Sequence, residues 1–204
     1  MDISDKDGEI LVRLARESIE KYVREKLIIK PPLGLTKEFY QKMGIFVTLN
    51  TLTTRGRELR GCIGYPLPEK PLLEALIDSA ISASSNDPRF EKIYPDELEN
   101  IVVEISVLTP PEHITVSSPE EYCNHIKVGE DGLIVRWRYG SGLLLPQVPI
   151  EQGWEVEDFL RHTCIKAGAT PDHWRSPDTD IYKFKAIVFE ETSPRGSIVR
   201  RELA

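Results

Sequence analysis

Leu59-Arg60-Gly61-Cys62-Ile63-Gly64 is the segment of this chain whose residue types could do chemistry. It sets a sulfur nucleophile beside a guanidinium, with glycines on either side that offer the thiol no side-chain cover. In a strand, alternation points Arg60 and Cys62 to one face and Leu59 and Ile63 to the other. A nearby guanidinium favours thiolate, so Cys62 could titrate below the free-cysteine value of about 8.5. The effect is modest, because residues two apart on a strand are separated by roughly 6.5–7 Å. The opposing reading makes Cys62 a small buried hydrophobe and the glycines a matter of hairpin geometry.

Other candidates lie further along. Asp87 and Arg89 flank Pro88 where a helix should end, either as a cap with a surface ion pair or as a ligand-facing pair. Arg89 is expected to join Arg60 and Cys62 in lining a cleft. Gln147 follows Pro146 at an expected strand end, suited to an amide contact with a ligand or with backbone. Cys164 falls on the apolar stripe of a helix and reads as core, Trp154 just before it as a packing anchor, and His162 as solvated. None of His113, His125, His162 and His173 has a His or Cys at metal-ligand spacing, so no metal is expected. Cys62, Cys123 and Cys164 are odd in number and widely spaced, so no disulfide is expected either. No G-x-G-x-x-G, P-loop or serine elbow is present, and no cofactor is implied.

The remaining composition bounds the class. The chain has 204 residues with 33 Asp and Glu against 26 Lys and Arg. That balance repels phosphate backbones and disfavours nucleic acid as a partner. No apolar run approaches the roughly 20 residues that span a bilayer, so no membrane is expected. The N-terminus, Met1-Asp2-Ile3-Ser4-Asp5, is acidic and opens a helix, unlike a signal peptide. Free cysteines fit a reducing compartment, most simply the cytoplasm.

These groups are positioned by an alternation of helices and strands. Ser4 to Asp7 forms a capping box ahead of a long amphipathic helix ending near Lys26. Strands are expected at 44–49, 58–63, 101–108, 132–137, 143–145 and 181–189, with helices over 72–83 and 155–167. Hairpin, helix and strand thus occur twice, at 44–108 and 132–189. The first strands match as G-I-F-V against G-L-I-V, and the returning arms as R-G-C-I-G-Y-P against S-G-L-L-L-P-Q. The inferred class is α+β: duplicated ββαβ units forming a mostly antiparallel sheet with flanking helices, in one domain over 1–192 and a mobile tail over 193–204. In that register Leu143 stands at the place of Cys62 and Ser141 at that of Arg60, so the fold itself does not demand the Arg–Cys pair.

L-R-G-C-I-G at 59–64 resembles the signature hexapeptide of the AMMECR family. The resemblance extends over nearly the whole chain after the first helix. It includes Asp87-Pro88-Arg89-Phe90, Val107-Leu108-Thr109-Pro110-Pro111-Glu112, Gly142-Leu143-Leu144-Leu145-Pro146-Gln147, and Cys164 with Lys166-Ala167-Gly168. It implies an α+β domain with a larger and a smaller part around a cleft. It marks Arg60, Cys62, Asp87, Arg89, Gln147, Trp154, Cys164 and Trp174 as motif residues and implies no established reaction. Similar domains occur beside or fused to Memo-type proteins and near radical-SAM proteins. Two functional classes follow. One is a module binding a small-molecule ligand or protein partner through Arg60, Gly61, Gly64, Asp87, Arg89 and Gln147. The other is a thiol-dependent enzyme with Cys62 as its catalytic nucleophile.

Overall fold

The computed structural model describes residues 3–202. Met1 and Asp2 of the acidic N-terminus, and Leu203 and Ala204 of the expected tail, lie outside the described residues. The chain falls into two compact units, one built from the residues up to Leu108 with Ile187–Arg201, the other from Thr109–Ala186.

The first unit begins with α1 (Asp5–Glu25), capped reciprocally by Ser4 and Asp7: Asp7 N–H donates to Ser4 Oγ at 3.2 Å and Ser4 N–H to Asp7 Oδ2 at 3.1 Å. β1 (Gly44–Thr53) and β2 (Gly56–Tyr65) form a hairpin whose turn needs Gly56 at φ 121°. α2 (Leu72–Ser85) follows Pro71, and β3 (Ile101–Leu108) is buried along its whole length. β7 (Asp180–Glu191) gives its last residues to this unit, and β8 (Ile198–Arg201) pairs with it antiparallel. The segment after Thr192, expected as a tail, therefore contains a strand. The order here is β2-β1-β3-β7. Alternation sends Ile45, Val47 and Leu49 of β1 and Val103, Ile105 and Val107 of β3 into one core with α1 and α2.

A buried ion pair fastens three of these elements. Arg16 of α1 donates from Nε to Glu191 Oε1 at 3.0 Å, from Nη2 to the other carboxylate oxygen, and to the Ile101 carbonyl at 2.6 Å. Val103 N–H donates to the same Glu191 at 3.0 Å. With both charges buried and hydrogen-bonded, loss of either partner would strand the other.

Two details revise the reading of the Cys62 segment. A β-bulge interrupts the hairpin: Leu49 pairs with Gly61 and Asn50 with Leu59, which leaves Arg60 without a partner. Alternation carried through Arg60 therefore fails at that residue. The glycines, expected to leave the thiol uncovered, serve packing. A Cβ on Gly61 would stand 2.1 Å from the Ala83 carbonyl oxygen of α2, and one on Gly64 would stand 2.2 Å from that of Ile45.

The second unit carries β4 (Glu112–His113) and β5 (Asp131–Trp137), both antiparallel to the first part of β7, and β6 (Gly140–Leu144) antiparallel to β5. α3 (Tyr122–His125), α4 (Gln147–Gln152) and α5 (Val156–Lys166) complete it. Its core includes Leu133, Val135, Phe159, Leu160, Cys164, Trp174 and Ile181, with Trp154 packed against it. His162 is exposed, as expected, and its ring stacks on Trp154 at 3.9 Å. α4 was not expected. Pro146 reads as the close of a strand, yet it and Pro149 sit where a helix begins and needs no N–H partner, and Gly153 at φ 67° ends the turn.

The order β6-β5-β7 here repeats β2-β1-β3. Gly142 also meets a helix end, its Cβ position lying 2.4 Å from Ala167 N. Strand pairing matches Leu49, opposite Gly61, with Val135, opposite Gly142. The sequence match had set Val47 against Val135; the two-residue shift keeps every side chain on its face.

Gly61→Ala should force α2 off the hairpin and lower stability by about 2–3 kcal/mol, as overpacking against unyielding backbone does. Urea denaturation checks this.

Candidate functional site around Cys62

α2 ends at Ser85, and the chain then doubles back beneath β2. Phe90 N–H donates to the Asp87 carbonyl at 3.1 Å and Ile93 N–H to the Ser84 carbonyl at 2.8 Å. The turn delivers Asp87 to the strand, where its Oδ2 accepts the Cys62 N–H at 2.8 Å. The Asp87 carboxylate is almost wholly buried, and Arg89 closes a fork on it, Nε to Oδ1 at 3.0 Å and Nη2 to Oδ2 at 2.7 Å. Arg89 Nη2 also reaches the Cys62 carbonyl at 3.2 Å. Asp87 and Arg89 thus grip both backbone groups of Cys62. The Arg89 side chain is still 53% exposed, and none of the described residues takes its Nη1.

The thiol is half-buried. Thr48, opposite it on β1, donates from Oγ1 to Sγ at 3.3 Å. Burial pushes the Cys62 thiol up from its ordinary value, while the Thr48 hydrogen bond and the Arg89 charge act in the other direction and do not prevail. The expectation of a lowered value is corrected here: the guanidinium that acts on the thiol is Arg89, and desolvation outweighs it. Arg60 is committed elsewhere. It donates to Glu97 at 2.8 and 3.1 Å and to the carbonyls of Glu91 and Lys92 at 2.7 and 3.3 Å, tying the loop after Arg89 to β2.

The structure therefore brings together Cys62, Asp87 and Arg89, with Gly61 and Gly64 shaping the backbone and Arg60 bracing the neighbouring loop. Gln147 belongs to the second unit, where it opens α4 and its side-chain oxygen is buried without a hydrogen-bond partner among the described residues. Thr48 was missed; nothing marks it out in a strand rich in β-formers. All three cysteines are free, and Cys164 is fully buried, its thiol pushed up to about 11 by desolvation. Among the described residues no three His, Cys, Asp or Glu side chains group as metal ligands, and no helix is long and apolar enough to cross a membrane.

Antiparallel strands and, among the described residues, five α-helices, with a thiol segment clamped by an Asp–Arg pair, define an α+β protein of a recognisable kind. The AMMECR1 family model matches residues 12–189, and the chain belongs to that family. It is 54% identical over 202 residues to a protein of Thermococcus gammatolerans, covering 98% of each chain. It is 52% identical to protein TK0174 of Thermococcus kodakarensis, again over 98% of each. The crystal structure of the uncharacterized protein PH0010 from Pyrococcus horikoshii matches with a TM-score of 0.93 at 53% identity, covering 98% of this chain and 99% of that one.

The Arg89 fork, against the opposing effect of burial, holds the Asp87 carboxyl down to about 2 from an ordinary 3.8. Stability from this lowered value is fully present above the unfolded value and is lost as the pH falls through 2, about 2 kcal/mol in all. Asp87→Asn should lower stability at pH 6 and flatten the profile between pH 5 and 2. Chemical denaturation across that range measures both.

Proposed function

We infer that this protein is a binding module whose ligand or partner engages the surface at Cys62 and Arg89, and that the thiol takes part as a neutral group. The observation that carries this reading is the clamp itself. A buried carboxylate holds a half-exposed guanidinium in a fixed pose over the Cys62 peptide, with Nη1 left to donate. A preorganised guanidinium of this kind suits carboxylate or phosphate oxygens. A nucleophilic role for Cys62 would need thiolate near neutral pH, and burial acts against it.

The recurrence of hairpin, helix and strand supports reading 44–108 and 132–189 as copies of one ββαβ unit, of which the first carries the thiol. Companions of Memo and radical-SAM type, and a cytoplasmic setting, are suggested by family resemblance and by the free cysteines.

The test is calorimetry and native mass spectrometry of the purified protein against small carboxylates and phosphate esters. At least one should bind, and Arg89→Lys, which cannot hold Asp87 and donate from Nη1 together, should weaken it about tenfold or more. Equal affinity in a folded Arg89→Lys variant would overturn the reading.

A further inference from the structure

β3 reads Ile-Val-Val-Glu-Ile-Ser-Val-Leu, and its one carboxylate, Glu104, is 5% exposed. Register places it. Cys62 pairs with Thr48 on β1, and Thr48 pairs with Glu104 on β3, so the three side chains form a row across one face of the sheet. Ser106, two residues on along the same face, keeps a buried hydroxyl with no hydrogen-bond partner among the described residues. In the second unit the corresponding row is Leu143, Ile134 and Tyr182. The topology therefore accepts two aliphatic residues and an aromatic where the first unit carries thiol, hydroxyl and carboxylate. A buried polar row that the fold does not require, beginning at the thiol, calls for a role.

We propose that Glu104 is a positioning residue of the Cys62 site, acting across Thr48 to keep the thiol in its neutral, hydrogen-bonding form. This rests on the reading of Cys62 as part of a binding surface and adds its regulation by protons. Thiol and carboxylate stand two strand spacings apart, about 9–10 Å, close enough for one charge to oppose the other in a desolvated setting. Other charged groups face the same row. Arg201 of β8 donates to Glu104 Oε2 at 3.1 Å, Glu190 of β7 adds a second carboxylate beside Glu104, and Arg57 of β2 pairs with Glu190 at 2.5 Å. Asp87 and Arg89 flank Cys62 itself. Burial pushes the Glu104 carboxyl up to about 7, with Arg201 opposing and Glu190 reinforcing the rise. Glu104 is therefore neutral in mild acid and acquires its charge through neutrality, where that charge makes thiolate harder to form. The Glu104 charge is among the groups that raise the Cys62 thiol, after burial.

Cysteine labelled with 13C at Cβ reports thiol ionisation by NMR whether or not a reagent can reach the sulfur. In the wild-type protein the Cys62 signal should show a small step near neutral pH, before its main titration. In Glu104→Gln that step should vanish and the main titration should move to lower pH, with thiolate at pH 8 increased about three- to tenfold. Thr48→Val, which removes the hydroxyl donated to sulfur, should move the titration the opposite way. A merely structural Glu104 would change these signals at every pH without shifting the midpoint. An unchanged midpoint in folded Glu104→Gln, or a wild-type signal with no step at neutrality, would overturn the proposal. Neither result would bear on whether Arg89 binds a ligand, which the calorimetry decides separately.

Discussion

The missing side chain at Gly61 is the constraint on which the candidate site depends. Because no Cβ stands between β2 and α2, the Ala83 carbonyl comes to within 2.1 Å of where one would be. The last turn of α2 lies flat on the hairpin as a result, and the chain leaving it passes close enough for Asp87 to accept the Cys62 N–H. One methyl group at Gly61 would lift the helix end and carry Asp87 and Arg89 with it.

Asp87 is then what makes the segment chemical. Burying a carboxylate is costly unless its oxygens are all engaged. Here two backbone N–H groups and an Arg fork engage them. The same bonds fix the pose of Arg89, so stability and presentation come from one arrangement. Arg60 and the Arg16–Glu191 pair do comparable work further out, pinning a loop to β2 and α1 to β3 and β7. Thr48 and Glu104 sit behind the thiol and add nothing that the Leu143–Ile134–Tyr182 row of the second unit lacks as packing.

Much of this was legible in the residues, and the exceptions have physical causes. The apolar stripes of α1, α2 and α5 and the β-forming run of β3 announce themselves, because burial dictates most positions in them. Cys62, Asp87 and Arg89 were legible as candidates through their types and their family motif. The meeting of Arg89 with Cys62 was legible too, but Asp87 as the group that joins them was not, since it rests on a hydrogen bond spanning 25 residues. A glycine reads alike whether a ligand or a helix backbone fills the space beside it, so Gly61 and Gly64 read as openings. A bulge leaves no mark in composition, so Arg60 was set on the face of Cys62 when its partner is Glu97. β8 is four residues long and carries too little pattern to stand out from a tail. Glu104 was the avoidable omission: a lone carboxylate amid seven uncharged residues of a buried strand is itself a signal.

On the binding-module reading, Cys62 is reachable in the native protein and carries its proton at neutral pH. Iodoacetamide labelling of a Cys123→Ser variant, followed by mass spectrometry from pH 6 to pH 10, tests it most directly. Cys62 should be modified without unfolding, slowly at pH 7 and faster with every increase in pH up to the alkaline limit. Rapid modification that has already levelled off at neutral pH would reveal a thiolate nucleophile. Complete protection until the protein unfolds would place Cys62 in the core. Either result would overturn the reading of Cys62 as a reachable, neutral thiol.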